Sequence, residues 1–80
     1  MRLDLFLSRV GVVKRRTIAK EMADNGLIRL NGSPAKAGKE ISAGDIIRIG
    51  GNRPVAVEVL EVPGGSVKKD DREKYVRTLP

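Results

Sequence analysis

An α+β fold, in which two short helices pack on a small antiparallel sheet, is predicted for this 80-residue chain by three observations. Apolar residues up to Ala23 recur at helical spacing, the period changes to two from Leu27 onward, and Gly-containing turns cut that later part into short segments. A chain this short holds one modest core and no deep cleft between lobes.

Leu3, Phe6, Leu7 and Val10 stand at i, i+3, i+4 and i+7 and mark the stripe of a first helix ending near Gly11, with Asp4 favourably placed in its first turn. Arg2 precedes that stripe and Arg9 lies off it, so both are expected to face solvent. Val12 and Val13 form a connector too brief to be an element, and helices joined so tightly must cross at an angle and share one core. Residues 14–26 read as the second helix with its cap. Ile18, Ala19, Met22 and Ala23 share one face, while Arg16 and Lys20, four apart, stack as a cationic ridge on another. Gly26 supplies the left-handed cap, since only Gly takes positive φ without a Cβ penalty, and Leu27 folds back on the last turn.

Beyond the cap, Ile28 and Leu30 point to one side of a strand and Arg29 to the other. Asn31-Gly32 calls for a type I′ hairpin turn, and residues 33–37 return beside the first strand, where Pro34 confines them to an edge. Ala43-Gly44-Asp45 turns the chain into an apolar strand at 46–49, and the turn at 50–53 leads into 54–60, where Val55, Val57 and Val59 alternate. Pro63-Gly64-Gly65-Ser66 breaks the pattern. Residues 1–62 are therefore expected to form the domain and 63–80 a flexible charged tail, whose only sizeable anchors are Val67, Tyr75, Val76 and Leu79. Deleting residues 64–80 should then leave the unfolding midpoint nearly unchanged.

Sixteen Lys and Arg against ten Asp and Glu give a net charge of +6, which favours polyanionic partners. The charge is uneven: residues 1–40 carry nine bases and four acids, residues 41–80 seven and six, so the first half is the expected binding half. With no His, no Cys and no Gly-rich phosphate loop, the serines have no activating base, and the chain is read as no enzyme, with no cofactor and no metal. The lack of Cys fits a reducing cytoplasm. No apolar run has the length of a signal peptide or a membrane span, so no membrane role is expected.

The binding candidates are Lys14, Arg15, Arg16 and Lys20, with Arg2 converging on the same side and Arg29 and Lys36 extending the track along the hairpin. Arg forks two donors onto one phosphate, whereas Lys supplies a point charge. One Tyr and one Phe, the latter needed in the core, cannot build a stacking platform for single-stranded bases. Recognition of structured RNA through shape and phosphates is the mode left. The rival is a protein-interaction adaptor whose basic face meets an acidic protein.

Arg2-Leu3-Asp4, Lys14-Arg15-Arg16-Thr17, Gly26 with Ile28 and Asn31-Gly32, Lys36, and Gly44-Asp45 before an apolar strand together resemble the S4 RNA-binding domain over about the first sixty residues. That resemblance implies the alpha-L RNA-binding fold, whose two helices and following hairpin grip structured RNA. Within the family, the Lys-Arg-Arg-Thr run, the Val-rich last strand and the short tail are similar to the small bacterial proteins of ribosome-associated quality control. Membership of that group implies a cytoplasmic monomer that binds rRNA and peptidyl-tRNA on obstructed large ribosomal subunits and aids a larger tailing factor. It also implies Arg2 and Arg16 as the main contacts, supported by Lys14, Arg15 and Lys20. The heat-shock branch, a ribosome recycling type, usually carries a Trp in helix one and a long basic extension; here Leu5-Phe6-Leu7 stands in the helix. Leu5 also occupies a position where relatives usually have Lys, which removes one cation from the RNA side. Because neither Arg2 nor Arg16 belongs to the apolar stripe, reversing their charge should leave folding almost intact.

Overall fold

A computed structural model describes all 80 residues. Helix α1 (Leu3–Arg9) and helix α2 (Arg16–Asp24) lead into strands β1 (Ile28–Leu30), β2 (Ser33–Pro34), β3 (Ile46–Ile49) and β4 (Val55–Val59). A 3₁₀ helix (Lys69–Lys74) and strand β5 (Val76–Thr78) complete the chain. The sheet runs β2-β1-β3-β4-β5 with every neighbouring pair antiparallel.

One face of this sheet is apolar. Ile28 and Leu30, Ile47 and Ile49, Val57 and Val59, and Val76 are buried beneath Leu3, Phe6 and Leu7 of α1, Val10 at its C-cap, and Ala19 and Ala23 of α2. All belong to one contiguous core, which is how a chain of this size buries enough surface to fold. Alternation leaves Arg29, Arg48, Ala56 and Glu58 on the opposite, outer face.

Two cap and turn expectations are met in detail. At the end of α2 the Gly26 N–H donates to the Ala23 carbonyl and the Leu27 N–H to the Met22 carbonyl, the paired bonds of a Schellman cap, with Gly26 at φ +74°. No neighbour would obstruct a Cβ on Gly26, so backbone strain alone governs substitution there. Gly26→Val is expected to cost about 1 kcal/mol or more, read as a lowered thermal midpoint; an unchanged midpoint would contradict the assignment. Asn31 and Gly32 both have positive φ, as a type I′ turn requires. The Asn31 amide also locks the next strand in place: its Oδ1 accepts from the Ile46 N–H at 2.8 Å and its Nδ2 donates to Asp45 at 3.0 Å.

Three expectations are corrected. The second helix begins at Arg16, leaving Lys14 in the connector and Arg15 as N-cap. Ile18 is not on the packed face: it is 43% exposed, and α2 turns Ala19 and Ala23 inward. Residues 63–80 are not a free tail. Val76 is buried, β5 pairs with β4 in the register Val57↔Thr78, Glu58↔Arg77 and Val59↔Val76, and Val67 and Tyr75 pack against the core. The physical reason lies in β4, whose outer edge would otherwise leave backbone groups unpaired and Val57 and Val59 partly uncovered.

Candidate nucleic-acid interface

The candidate interface is organised by a buried carboxylate. Asp4 lies in the first turn of α1 and is only 2% exposed. Its carboxylate accepts from Arg2 Nε at 3.2 Å and Nη2 at 3.3 Å, from Arg16 Nε at 3.3 Å, and from the Leu5 N–H at 2.8 Å. Burial opposes ionisation of Asp4, but the bonds from Arg2, the Leu5 amide and Arg16, together with the charge of Arg16, outweigh it and hold the pKa below the ordinary 3.8. One anion inside the fold thus orients two guanidiniums that each remain about half exposed, at 48% and 47%.

The backbone around Asp4 is equally constrained. The amides at the start of α1, which have no partner within the helix, donate to the next loop: Leu3 N–H to Lys39 and Asp4 N–H to Ala37. Arg2 also bridges to Glu40, and its guanidinium carbon lies 3.6 Å from where a Cβ on Gly38 would stand. The 36–40 loop, with Lys36 and Lys39, is therefore clamped beside Arg2.

Arg2, Asp4, Arg16, Thr17 and Lys20 line a shallow depression of about 240 Å³. Arg16 and Thr17 are shared with a second depression of about 510 Å³, formed with Arg9, Lys14, Arg15 and Ser66. The expected residues Arg2, Lys14, Arg15, Arg16 and Lys20 thus form one track across the two depressions, joined by Arg9 and containing Asp4 as its one carboxylate. Lys36 stands at the margin of this track, on the loop clamped by Arg2, and lines a separate hollow with Leu30, Ser33 and Lys39. Arg29 does not join it. Arg29 is on the outer face of the sheet, where its Nη1 donates to the Gly32 carbonyl at 3.2 Å.

Sequence reasoning missed Asp4, Arg9 and Ser66 as members of the site. For Asp4 a signal existed: it borders the stripe between Leu3 and Leu7, and a charge at the edge of a core must be paired. The expectation that Arg2 and Arg16 are dispensable for folding is corrected by the same observation, since they are the two side-chain partners of a buried carboxylate. No group of three or more Asp or Glu comes together in a metal-holding arrangement, and no helix is long and apolar enough to cross a membrane.

A helix pair over an antiparallel sheet, with a guanidinium pair fixed on its helical side, defines a small basic module with the chemistry of a polyanion site. The model of the S4 domain matches residues 1–47. RQC P-site tRNA stabilizing factor of Streptococcus pneumoniae is 41% identical over 76 residues, covering 94% of this chain and 86% of its own. The protein of the same name from Bacillus subtilis is 41% identical, with 94% and 88% covered. This chain belongs to the S4 domain family and, within it, to the group whose curated members carry that name. Among solved structures, the solution structure of a hypothetical protein superposes with a TM-score of 0.85 at 39% identity, covering 100% of this chain and 98% of that one. A trimeric structure of Vibrio cholerae Heat Shock Protein 15 superposes with a TM-score of 0.88, covering 99% and 81%; at 22% identity it shares the fold.

Proposed function

We propose that this protein is a non-catalytic RNA-binding factor of ribosome-associated quality control. In this reading it acts in the cytoplasm as a monomer, holds rRNA and peptidyl-tRNA on obstructed large ribosomal subunits, and so aids the tailing factor that extends stalled chains. The single observation carrying the proposal is the Asp4-oriented pair of Arg2 and Arg16, continuous with Lys14, Arg15 and Lys20. Guanidiniums held by an internal carboxylate lose less conformational freedom on meeting a phosphate, and each retains free donors for it. The name shared by the relatives, a factor that stabilises tRNA in the P site, supports the same partner class.

The test uses cations that Asp4 does not depend on. In a Lys14→Gln, Arg15→Gln and Lys20→Gln variant, co-sedimentation with large ribosomal subunits should fall sharply at fixed salt while the thermal midpoint stays within about a degree or two of wild type. The slope of log affinity against log salt should become shallower by nearly one for each phosphate that is no longer neutralised. Wild-type binding that is flat in salt, or a variant that co-sediments fully, would favour the adaptor instead.

A further inference from the structure

The outer face of the sheet carries a second pair of arginines that the helical site does not use. Arg29 on β1 and Arg48 on β3 are direct cross-strand partners, and both are exposed. Cross-strand neighbours on one face have Cβ atoms about 5 Å apart, and like charges placed so are destabilising. Neither takes part in an ion pair, the next residue across from Arg48 is Ala56, and Glu58, further along β4, is already engaged by Arg77. Together they line a depression of about 490 Å³ whose rim is Leu27, Gly50, Pro54 and Leu79. Pro80, the last residue, lines the same depression but forms no ion pair with either arginine. The bond from the Leu79 N–H to the Ala56 carbonyl, 2.8 Å, keeps the chain end along one side of it.

The geometry points to a second docking site here for the phosphate backbone of RNA, separate from the helical track. A repulsive pair becomes favourable when an anion lies between its members, and two arginines on adjacent cross-strand positions can turn forked donors to one phosphate or to two neighbours. Leu27, Pro54 and Leu79 supply an apolar rim against which sugars can rest, and no aromatic side chain lines the depression, so bases are not read by stacking. Because the site lies on the sheet face opposite the helices, in a molecule measuring 29 × 26 × 23 Å, an RNA held there is a different segment from the one held at Arg2 and Arg16. The protein would then act as a bridge between two RNA segments.

Two RNA hairpins, one carrying a donor dye and one an acceptor, test this. Full-length wild-type protein should bring them together and raise energy transfer. Arg29→Gln with Arg48→Gln should reduce that transfer at least fivefold while leaving binding of a single hairpin within about twofold, since the helical track is untouched. Its thermal midpoint should equal or exceed wild type, because a like-charge pair has been relieved; a purely structural role would lower it. Undiminished bridging by this variant overturns the proposal. So does loss of bridging in which polyglutamate competes as well as unlabelled hairpin, which would assign the face to an acidic protein. The Lys14→Gln, Arg15→Gln, Lys20→Gln variant should also lose bridging while keeping a residual binding of one hairpin that Arg29→Gln with Arg48→Gln abolishes; residual binding indifferent to those two arginines overturns the proposal.

Discussion

An Arg2→Ala, Arg16→Ala variant is expected to be destabilised by about 3 kcal/mol near neutral pH, because it leaves the Asp4 carboxylate buried with the Leu5 amide as its one remaining partner. Both arginines are about half exposed, so the ion pairs themselves contribute modestly; the cost comes from stranding the anion. Proton linkage gives this a distinctive sign. In the wild type the Asp4 pKa is depressed, so its contribution to stability is complete above the unfolded value of about 3.8 and is lost as pH falls through the lower folded value. In the double variant the lowering contacts from Arg2 and Arg16 are gone while burial remains, which moves the folded pKa upward. That variant is penalised most at neutral pH and recovers as acid protonates Asp4. Urea unfolding should therefore show the gap between the two proteins narrowing between about pH 7 and pH 4. Adding Asp4→Asn to the double variant should restore much of the loss by removing the buried charge. A gap independent of pH, or a triple variant less stable than the double, would show that Asp4 does not carry the effect.

The same carboxylate explains what was legible in the sequence. Features set by near neighbours could be read directly: the α1 stripe, the Gly26 cap and the Asn31-Gly32 turn each depend on φ preferences or on spacing within a few residues. The cationic track was legible as a set of residue types, since Arg16 and Lys20 are one helical turn apart. Its organisation was not, because the bond from Arg16 to Asp4 spans twelve residues and exists only once the two helices cross. Arg29 was placed with the track on sequence proximity, but pleating sends it to the other face, opposite Arg48, a partner only the β1–β3 register reveals. Ile18 followed the helical period yet stays exposed, since the small residues Ala19 and Ala23 form the side of α2 that enters the core.

Residues 63–80 were the least legible part, for a related reason. Locally, Lys68 to Lys74 is a dense mixture of charges, and one buried valine does not identify a strand. The value of Val76 depends on β4, which offers an unpaired edge and two valines to cover. Replacing Val76 with Ala is expected to cost roughly 2 kcal/mol, the loss of two buried methyl groups plus the space they leave. This substitution keeps the ordering entropy of the segment unchanged, so it reads the packing alone. Deleting residues 64–80 is expected to cost more, roughly 3 kcal/mol, even though it also removes the entropy cost of ordering those residues. Truncation takes away Val67, Tyr75 and Val76, the bond from the Leu60 N–H to the Tyr75 carbonyl at 2.8 Å, and the cover over Val57 and Val59. A domain of this size has a margin of only about 5 to 10 kcal/mol, so the urea midpoint should drop conspicuously, and the bared β4 edge should promote self-association at high concentration. If the truncated protein unfolds at the wild-type midpoint and remains monodisperse, β5 adds nothing to the sheet, and residues 63–80 return to being a flexible charged appendage.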